Sequence, residues 1–228
     1  MTIFPFDPIQ RSHEVEQIVM QGDKRMYYRF RYARFYGGVV TADAVGCNLL
    51  CAYCWNYDKN EDPMGKGAFF SPSQVSDKLL KISQKNNCGT FRMSGCEPFL
   101  GQASRDHLVE VIELVQAKCY ADFIIETNGI MIGANPEFLD DIPTRTRFRI
   151  AVKGHNDQAF EQITGASNGL ELQLKAIQAL RSHKLACVAA IMPEFVNTYK
   201  LIPNGVPTER EDLKYYGSTK ENLRSRGL

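Results

Sequence analysis

Short apolar runs alternate along this chain with segments whose apolar positions recur every three or four residues. "GGVVTADAVG" (residues 37–46) is β-branched and apolar and reads as a buried strand, as do "TFRMS" (90–94), "DFIIE" (122–126), "RFRIAVK" (147–153) and "ACVAAIM" (186–192). Between them the period lengthens. "SPSQVSDKLLKIS" predicts a helix with Ser71 as N-cap, Pro72 at the first helical position and Gln74 closing a capping box, with Val75, Leu79 and Ile82 on one face. "SRDHLVEVIELVQAK" aligns Leu108, Val111, Ile112 and Val115, and "NDQAFEQITG" and "GLELQLKAIQALRSHK" are helical in the same way.

Strands alternating with helices imply parallel pairing through right-handed crossovers, hence an α/β fold. In such sheets, sites form at the carboxyl ends of the strands. "GCNLLCAYCWN" (46–56), "SGCEP" (94–98), "ETNG" (126–129), "VKGHN" (152–156) and "IMPEF" (191–195) all fall at such ends and are expected to converge on one face.

Composition narrows the picture. The 228 residues, 44% hydrophobic, suffice for the core of one α/β domain. With 27 basic against 26 acidic residues, the totals call for neither a nucleic acid nor an anionic membrane. The start, "MTIFPFDPIQRSHEVEQIV", is broken by prolines and charges where a secretory signal is apolar, and no stretch is apolar enough to span a bilayer. A cytoplasmic protein without a membrane partner is expected. Seven cysteines, with Cys88, Cys96, Cys119 and Cys187 scattered, do not suit a secreted disulfide framework.

The clustered cysteines carry the chemistry. Cys47, Cys51 and Cys54 are spaced by four and three residues. Three thiolates can hold three irons of a cubane and leave the fourth iron to an outside ligand. A structural zinc site wants a fourth protein ligand, and none is obvious nearby. No second cysteine cluster is spaced for an auxiliary centre.

With these peptides at successive strand ends, the sequence resembles the radical S-adenosylmethionine (radical SAM) enzymes, closest in organisation to the glycyl-radical-enzyme activating branch. The resemblance spans about residues 37–195. It includes the family's Gly-Gly-Glu-Pro position at Gly95 to Pro98, its Thr-Asn-Gly turn at Thr127 to Gly129 and a Thr-Gly-x-x-Asn segment at Thr164 to Asn168.

The resemblance implies a partial (β/α) barrel and a [4Fe-4S] cluster on Cys47, Cys51 and Cys54, with SAM chelating the unique iron. It further implies reductive cleavage of SAM to a 5′-deoxyadenosyl radical that abstracts hydrogen from a substrate, fed by a one-electron donor such as flavodoxin or ferredoxin. By the same correspondence Tyr53 packs by the adenine, the backbone of Gly95, Cys96 and Glu97 accepts the SAM ammonium, Glu126, Thr127 and Lys153 lie near ribose and carboxylate, and Asn168 is a ribose-side residue. Loop packing for Tyr53 and a helix cap for Asn168 are the plainer alternatives. The chain departs from the family at Cys96, where a second glycine is common. It departs again at Ala151-Val152-Lys153, where activating enzymes often have Asp-x-Lys, and at Trp55, where they often have histidine.

The expected organisation is an N-terminal extension (1–36), a radical SAM core (37–195) and a polar C-terminal tail (196–228). Five strands are supported, and "YKLIP" (199–203) is a candidate for a sixth or part of a connection. Within the extension, "KRMYYRFRYARFYGG" interleaves Arg29, Arg31 and Arg34 with Tyr28, Phe30, Tyr32 and Phe35, and alternation puts the basic groups on one face. Such a ribbon suits either a nucleic acid or an edge strand with a charged solvent face. Three functional readings follow: a radical SAM enzyme acting on a protein or peptide, one acting on a nucleoside, RNA or small metabolite, and an iron-sulfur electron-transfer module. The last leaves "SGCEP", "ETNG" and "ITGASN" without a purpose.

Overall fold

A computed structural model describes residues 4–196 and 201–228. Its centre is a sheet of nine strands. In chain order the elements are α1 (Pro8–Val19), β1 (Met20–Gln21), β2 (Lys24–Ala33), β3 (Val39–Ala44), α2 (Tyr57–Glu61), β4 (Ala68–Phe70), α3 (Pro72–Asn86), β5 (Thr90–Ser94) and α4 (Gln102–Gln116). They continue with β6 (Asp122–Thr127), α5 (Ile130–Ala134), β7 (Thr146–Val152), α6 (Asp157–Thr164), α7 (Leu170–Ser182), β8 (Ala186–Ile191), β9 (Thr208–Arg210) and α8 (Thr219–Ser225).

β3, β5, β6, β7, β8 and β9 are neighbours in that order and parallel throughout. Space follows sequence without a reversal, so every crossover steps the same way, as in a (β/α) barrel and unlike a doubly wound sheet. The path runs from β1 to β9 and does not close. The architecture is therefore a partial barrel.

Local chemistry explains the elements. Ser71 and Gln74 cap α3 reciprocally, and Asn87 ends it in a left-handed conformation. Leu108, Val111, Ile112 and Val115 of α4 are all buried, and Phe91 stacks on Phe123 beneath them in one continuous core. Gln173 is a buried polar residue of α7 that donates to the carbonyls of Asn128 and Ala151 and accepts from the Lys153 N–H. It ties a helix to the ends of β6 and β7, which fixes the loops there.

Two features differ from the sequence reading. A sixth parallel strand exists, but it is Thr208–Arg210 in the polar stretch, with Ala189 opposite Thr208 and Ile191 opposite Arg210. Part of "YKLIP" lies outside the described residues, and its remainder, 201–203, is not a strand. The hydrophobic pattern missed β9 because it is a three-residue strand with exposed ends, held by charges.

The arginine ribbon is β2, antiparallel to β3, with a register shift between Tyr27 and Arg29. This bulge sends Tyr27 and Phe30 together to the helix side, where their rings lie 5.4 Å apart. Arg29 and Arg31 take the opposite face, toward Asp43 of β3. That face looks into a cavity and is not the solvent face expected of a charged edge.

Candidate functional site

The cavity, ≈ 820 Å³, opens at the carboxyl ends of the parallel strands. The loop after β3 forms one wall. Gly46 enters it at φ +93°, and a Cβ there would sit 2.7 Å from Val15 Cγ1, so the turn requires glycine. The loop is pinned by backbone bonds from Leu50 N–H to the Thr164 carbonyl (3.0 Å), from Ala52 N–H to the Ile163 carbonyl (2.8 Å) and from Glu97 N–H to the Gly46 carbonyl (3.0 Å).

Each of two thiols meets N–H donors. Cys47 Sγ receives the Leu49 N–H (3.4 Å) and the Asn128 side-chain amide (3.8 Å); Cys54 Sγ receives the Asn56 N–H (3.4 Å) and the Asn60 amide (3.5 Å). Burial pushes the Cys47 and Cys51 thiols up, and that of Cys54 to about 11. The loop thus stores neutral thiols that release protons when they bind a metal centre. The three are not gathered on a single-ion position, and a cubane, whose irons take one thiolate each, does not ask for that. Amide donors aimed at sulfur are the surroundings that such clusters use. Buried Asn48 Nδ2, Asn56 Oδ1 and Asn60 Oδ1 lack partners among the described residues, and Asn60 lines the cavity, where it could meet a polar guest. The residues fit the group.

The opposite wall comes from the strand ends. Glu97 is 2% exposed, and its carboxylate accepts from the Thr127 hydroxyl, the Asn128 N–H and the Phe99 N–H. It acts as a brace between the β5 and β6 loops and turns no free oxygen to the cavity. Asn128 carries the brace onward to Asn48 Oδ1 (2.7 Å) in the cysteine loop. Glu126 accepts from Tyr36, Arg92 and Ser94. Tyr53 stacks on Phe195 at 5.0 Å, with Lys153 Nζ 4.9 Å over its ring. Burial opposes the Lys153 ammonium, yet Tyr53, Cys51 and Glu211 together hold its pKa above the usual lysine value.

Behind Cys96 lies Arg25, buried without a carboxylate. One of its terminal nitrogens reaches the Glu97 carbonyl (2.7 Å) and Cys96 Sγ (3.3 Å), while the other has no partner among the described residues. Cys96 is a small thiol under this guanidinium, pushed up to about 11 by burial against the pull of Arg25.

Of the residues singled out in the sequence, Cys47, Cys51, Tyr53, Cys54, Gly95, Cys96, Glu97, Glu126, Thr127 and Lys153 all line this cavity. Asn168 does not. It is exposed, in a left-handed conformation just before α7, and its segment serves the site instead through the backbone carbonyls of Ile163 and Thr164. The pattern reading passed over Asn128, although it lies inside the Thr-Asn-Gly turn. It also passed over Arg92 and over Arg149, which binds Glu209 and Glu211 of the polar stretch. Among the described residues no helix is long and apolar enough to cross a membrane.

An open, singly wound barrel with three thiols at its strand ends defines a class of iron-sulfur enzyme scaffold. The Radical SAM superfamily pattern matches residues 41–195, and the chain belongs to that superfamily, whose members use a [4Fe-4S] cluster and S-adenosylmethionine.

Among curated relatives, a "Probable GTP 3',8-cyclase" of Methanococcus maripaludis (strain C5) is 29% identical over 122 residues, 54% of this chain and 38% of the relative. One of Methanothermobacter thermautotrophicus is 29% identical over 86 residues, 38% of this chain and 25% of the relative. The chain thus spans well under half the length of these relatives.

Among solved structures, a spore photoproduct lyase mutant with AdoMet and a dinucleoside spore photoproduct has a TM-score of 0.60 at 15% identity, covering 87% of this chain and 63% of that one. Native anSMEcpe with AdoMet has a TM-score of 0.57 at 16% identity, covering 79% and 57%. At such identities the likeness is one of fold.

Proposed function

We propose that this chain is a radical SAM enzyme in which Cys47, Cys51 and Cys54 hold the [4Fe-4S] cluster and SAM lies in the cavity between the cysteine loop and the strand ends. The observation that carries the reading is the three-thiol loop, with amide donors on two of its sulfurs, facing a cavity lined by the strand-end peptides. When bound, these cofactors supply a 5′-deoxyadenosyl radical at the cost of one electron, which removes hydrogen from a substrate. A one-electron donor such as a flavodoxin or ferredoxin would supply that electron.

The protein's share is placement. At Gly95, φ is +87° and a Cβ would lie 3.0 Å from the Ala44 carbonyl oxygen, so the turn requires glycine, and the backbone from Gly95 to Glu97 would hold the SAM ammonium. Tyr53, clamped between Phe195 and Lys153, would wall the adenine side. Lys153 sets a buried cation in the field of Cys51 and Cys54, where it would counter the SAM carboxylate and the thiolate charge. The arginine-rich lining favours a nucleotide or another small metabolite over a protein or peptide as substrate. The curated relatives, named for action on GTP, support the same choice.

Anaerobic reconstitution is expected to give about four irons per chain, with 5′-deoxyadenosine released from SAM after reduction. Alanine at any one of the three cysteines is expected to abolish both. Full iron retained in all three variants, or reduced and cluster-loaded protein that never cleaves SAM, would refute the assignment.

A further inference from the structure

The charges lining the cavity are not evenly balanced. Arg92 has Glu126; Arg149 has Glu209 and Glu211, and Lys153 also lies in the field of Glu211. At the β2–β3 wall, however, two guanidiniums share one carboxylate. Arg29 Nε and Arg31 Nε both lie 2.7 Å from Oδ2 of Asp43, whose side chain is fully buried, and Arg31 adds a second contact to Oδ1 at 3.3 Å. This wall carries one surplus positive charge.

Its geometry suits a ligand. Arg31 grips Asp43 through two nitrogens, whereas Arg29 uses Nε alone, so the terminal nitrogens of Arg29 stay outside the ion pair. The Arg29 side chain is 43% exposed, and its guanidinium lies 5.4 Å from the Tyr28 ring centre and 5.6 Å from that of Trp55. Two aromatic faces and a buried carboxylate thus hold the fork in place before any ligand arrives, which lowers the ordering cost of binding. Trp55, Phe35 and Tyr36 line the same cavity with rings that are still partly exposed, as a planar ligand ring would require.

We infer that Arg29 and Arg31, fixed by Asp43, form an oxyanion subsite in the cavity that takes a phosphate or carboxylate group of the small-molecule substrate. The inference rests on the radical SAM reading of the cavity and adds the class of substrate. It also reassigns the basic ribbon. Arg29 and Arg31 turn into a cavity of ≈ 820 Å³ beside the cysteines, which suits a small anion better than a nucleic-acid strand.

The test is calorimetric titration of the anaerobic, cluster-loaded, SAM-bound protein with GTP, guanosine and succinate. GTP tighter than guanosine identifies phosphate as the group read, and succinate binding identifies carboxylate. Whichever anion binds is expected to lose about tenfold or more in affinity in Arg29→Gln, in which Arg31 still covers Asp43. Arg29→Lys, which keeps the charge without the fork, is expected to fall between them.

If the glutamine variant fails to fold, the lysine variant carries the test, and wild-type anion affinity there overturns the subsite. So do anion affinities unchanged in Arg29→Gln, absence of anion binding to wild type, or a single-stranded RNA that binds tighter than either anion and competes for the same arginines. Iron content and SAM binding of the wild type are read separately. A protein that holds cluster and SAM but no anion sinks the subsite alone.

Discussion

Glu97→Gln puts an amide where every neighbour is a donor. One carboxylate oxygen accepts from the Thr127 hydroxyl (2.5 Å) and the Phe99 N–H (3.1 Å), and the other from the Asn128 N–H (2.7 Å). Whichever way the amide turns, its NH₂ faces a backbone N–H and leaves that donor buried without an acceptor. Above pH 7, where the parent carboxyl is ionised, the cost is ~1–3 kcal/mol. Each kcal/mol lowers Tm by about 2–4 °C in a chain of this length. Glu97→Ala orphans both N–H groups and is expected to cost about twice as much.

The pH dependence is sharper still. Burial pushes the Glu97 carboxyl up from 4.5 to about 7, against the pull of its donors. The stability tied to its neutral form is therefore fully present below 4.5 and lost as pH rises through 7, in all ~3 kcal/mol. His107 works in the opposite sense. Held between the Tyr27 hydroxyl and the Asp23 carbonyl, it is lowered by burial from 6.5 to about 4. Its contribution is present above 6.5 and lost as pH falls through 4, again ~3 kcal/mol. Between 4.5 and 6.5 both groups titrate the stability, at about 1.4 kcal/mol per pH unit and with opposite signs.

The pair is therefore expected to cancel in the wild-type apoprotein and to be unmasked one at a time. In urea denaturation at pH 4.5, 5.5 and 6.5, Glu97→Gln should gain stability with rising pH relative to wild type. His107→Gln should lose it. Two single variants that both track the wild-type profile would refute the reasoning, as would a glutamine variant at position 97 as stable as the parent at pH 8, where Glu97 is ionised.

Two further substitutions probe the scaffold. Gly133→Ala places a Cβ 1.9 Å from the Leu172 carbonyl oxygen where α5 meets α7, and backbone cannot swing aside as a side chain would; a loss of ~3 kcal/mol is expected in chemical denaturation. Arg149→Met removes the partner of Glu209 and Glu211, both part-exposed, so the global cost is expected to be only ~1–2 kcal/mol. The specific sign is local, namely faster hydrogen exchange of the amides that join β9 to β8 while β5 and β6 stay protected.

Most of the sheet was legible because its central strands are covered on both faces and therefore appear as bare apolar runs such as Phe123-Ile124-Ile125. The helices announced themselves through caps, with Ser71 and Gln74 the clearest case. Pattern reading fails where the stabilising partner is distant or charged. β9 has one neighbour and three residues, and its anchor, Arg149 to Glu209, spans 60 positions. The bulge at Tyr28 left no signature, although it sends Tyr27 and Phe30 to one face and the arginines to the other.

The site divides along the same line. The cysteine spacing and the strand-end peptides are local, and ten of the eleven residues chosen from them line one cavity. Asn168 belongs to a short motif in which Thr164, Gly165 and Ala166 are buried while Asn168 itself, at positive φ, is exposed, and the carbonyls of Ile163 and Thr164 do the holding. Motif spacing says which segment comes near a site without saying whether side chain or backbone faces it. The ribbon shows the complementary limit. Its composition exposed an arginine face, but only the partner at Asp43, 14 and 12 positions away, shows that this face is turned inward and left with more positive than negative charge. A surplus of that kind is a property of the assembled cavity, which is why the proposed substrate class is legible only in the fold.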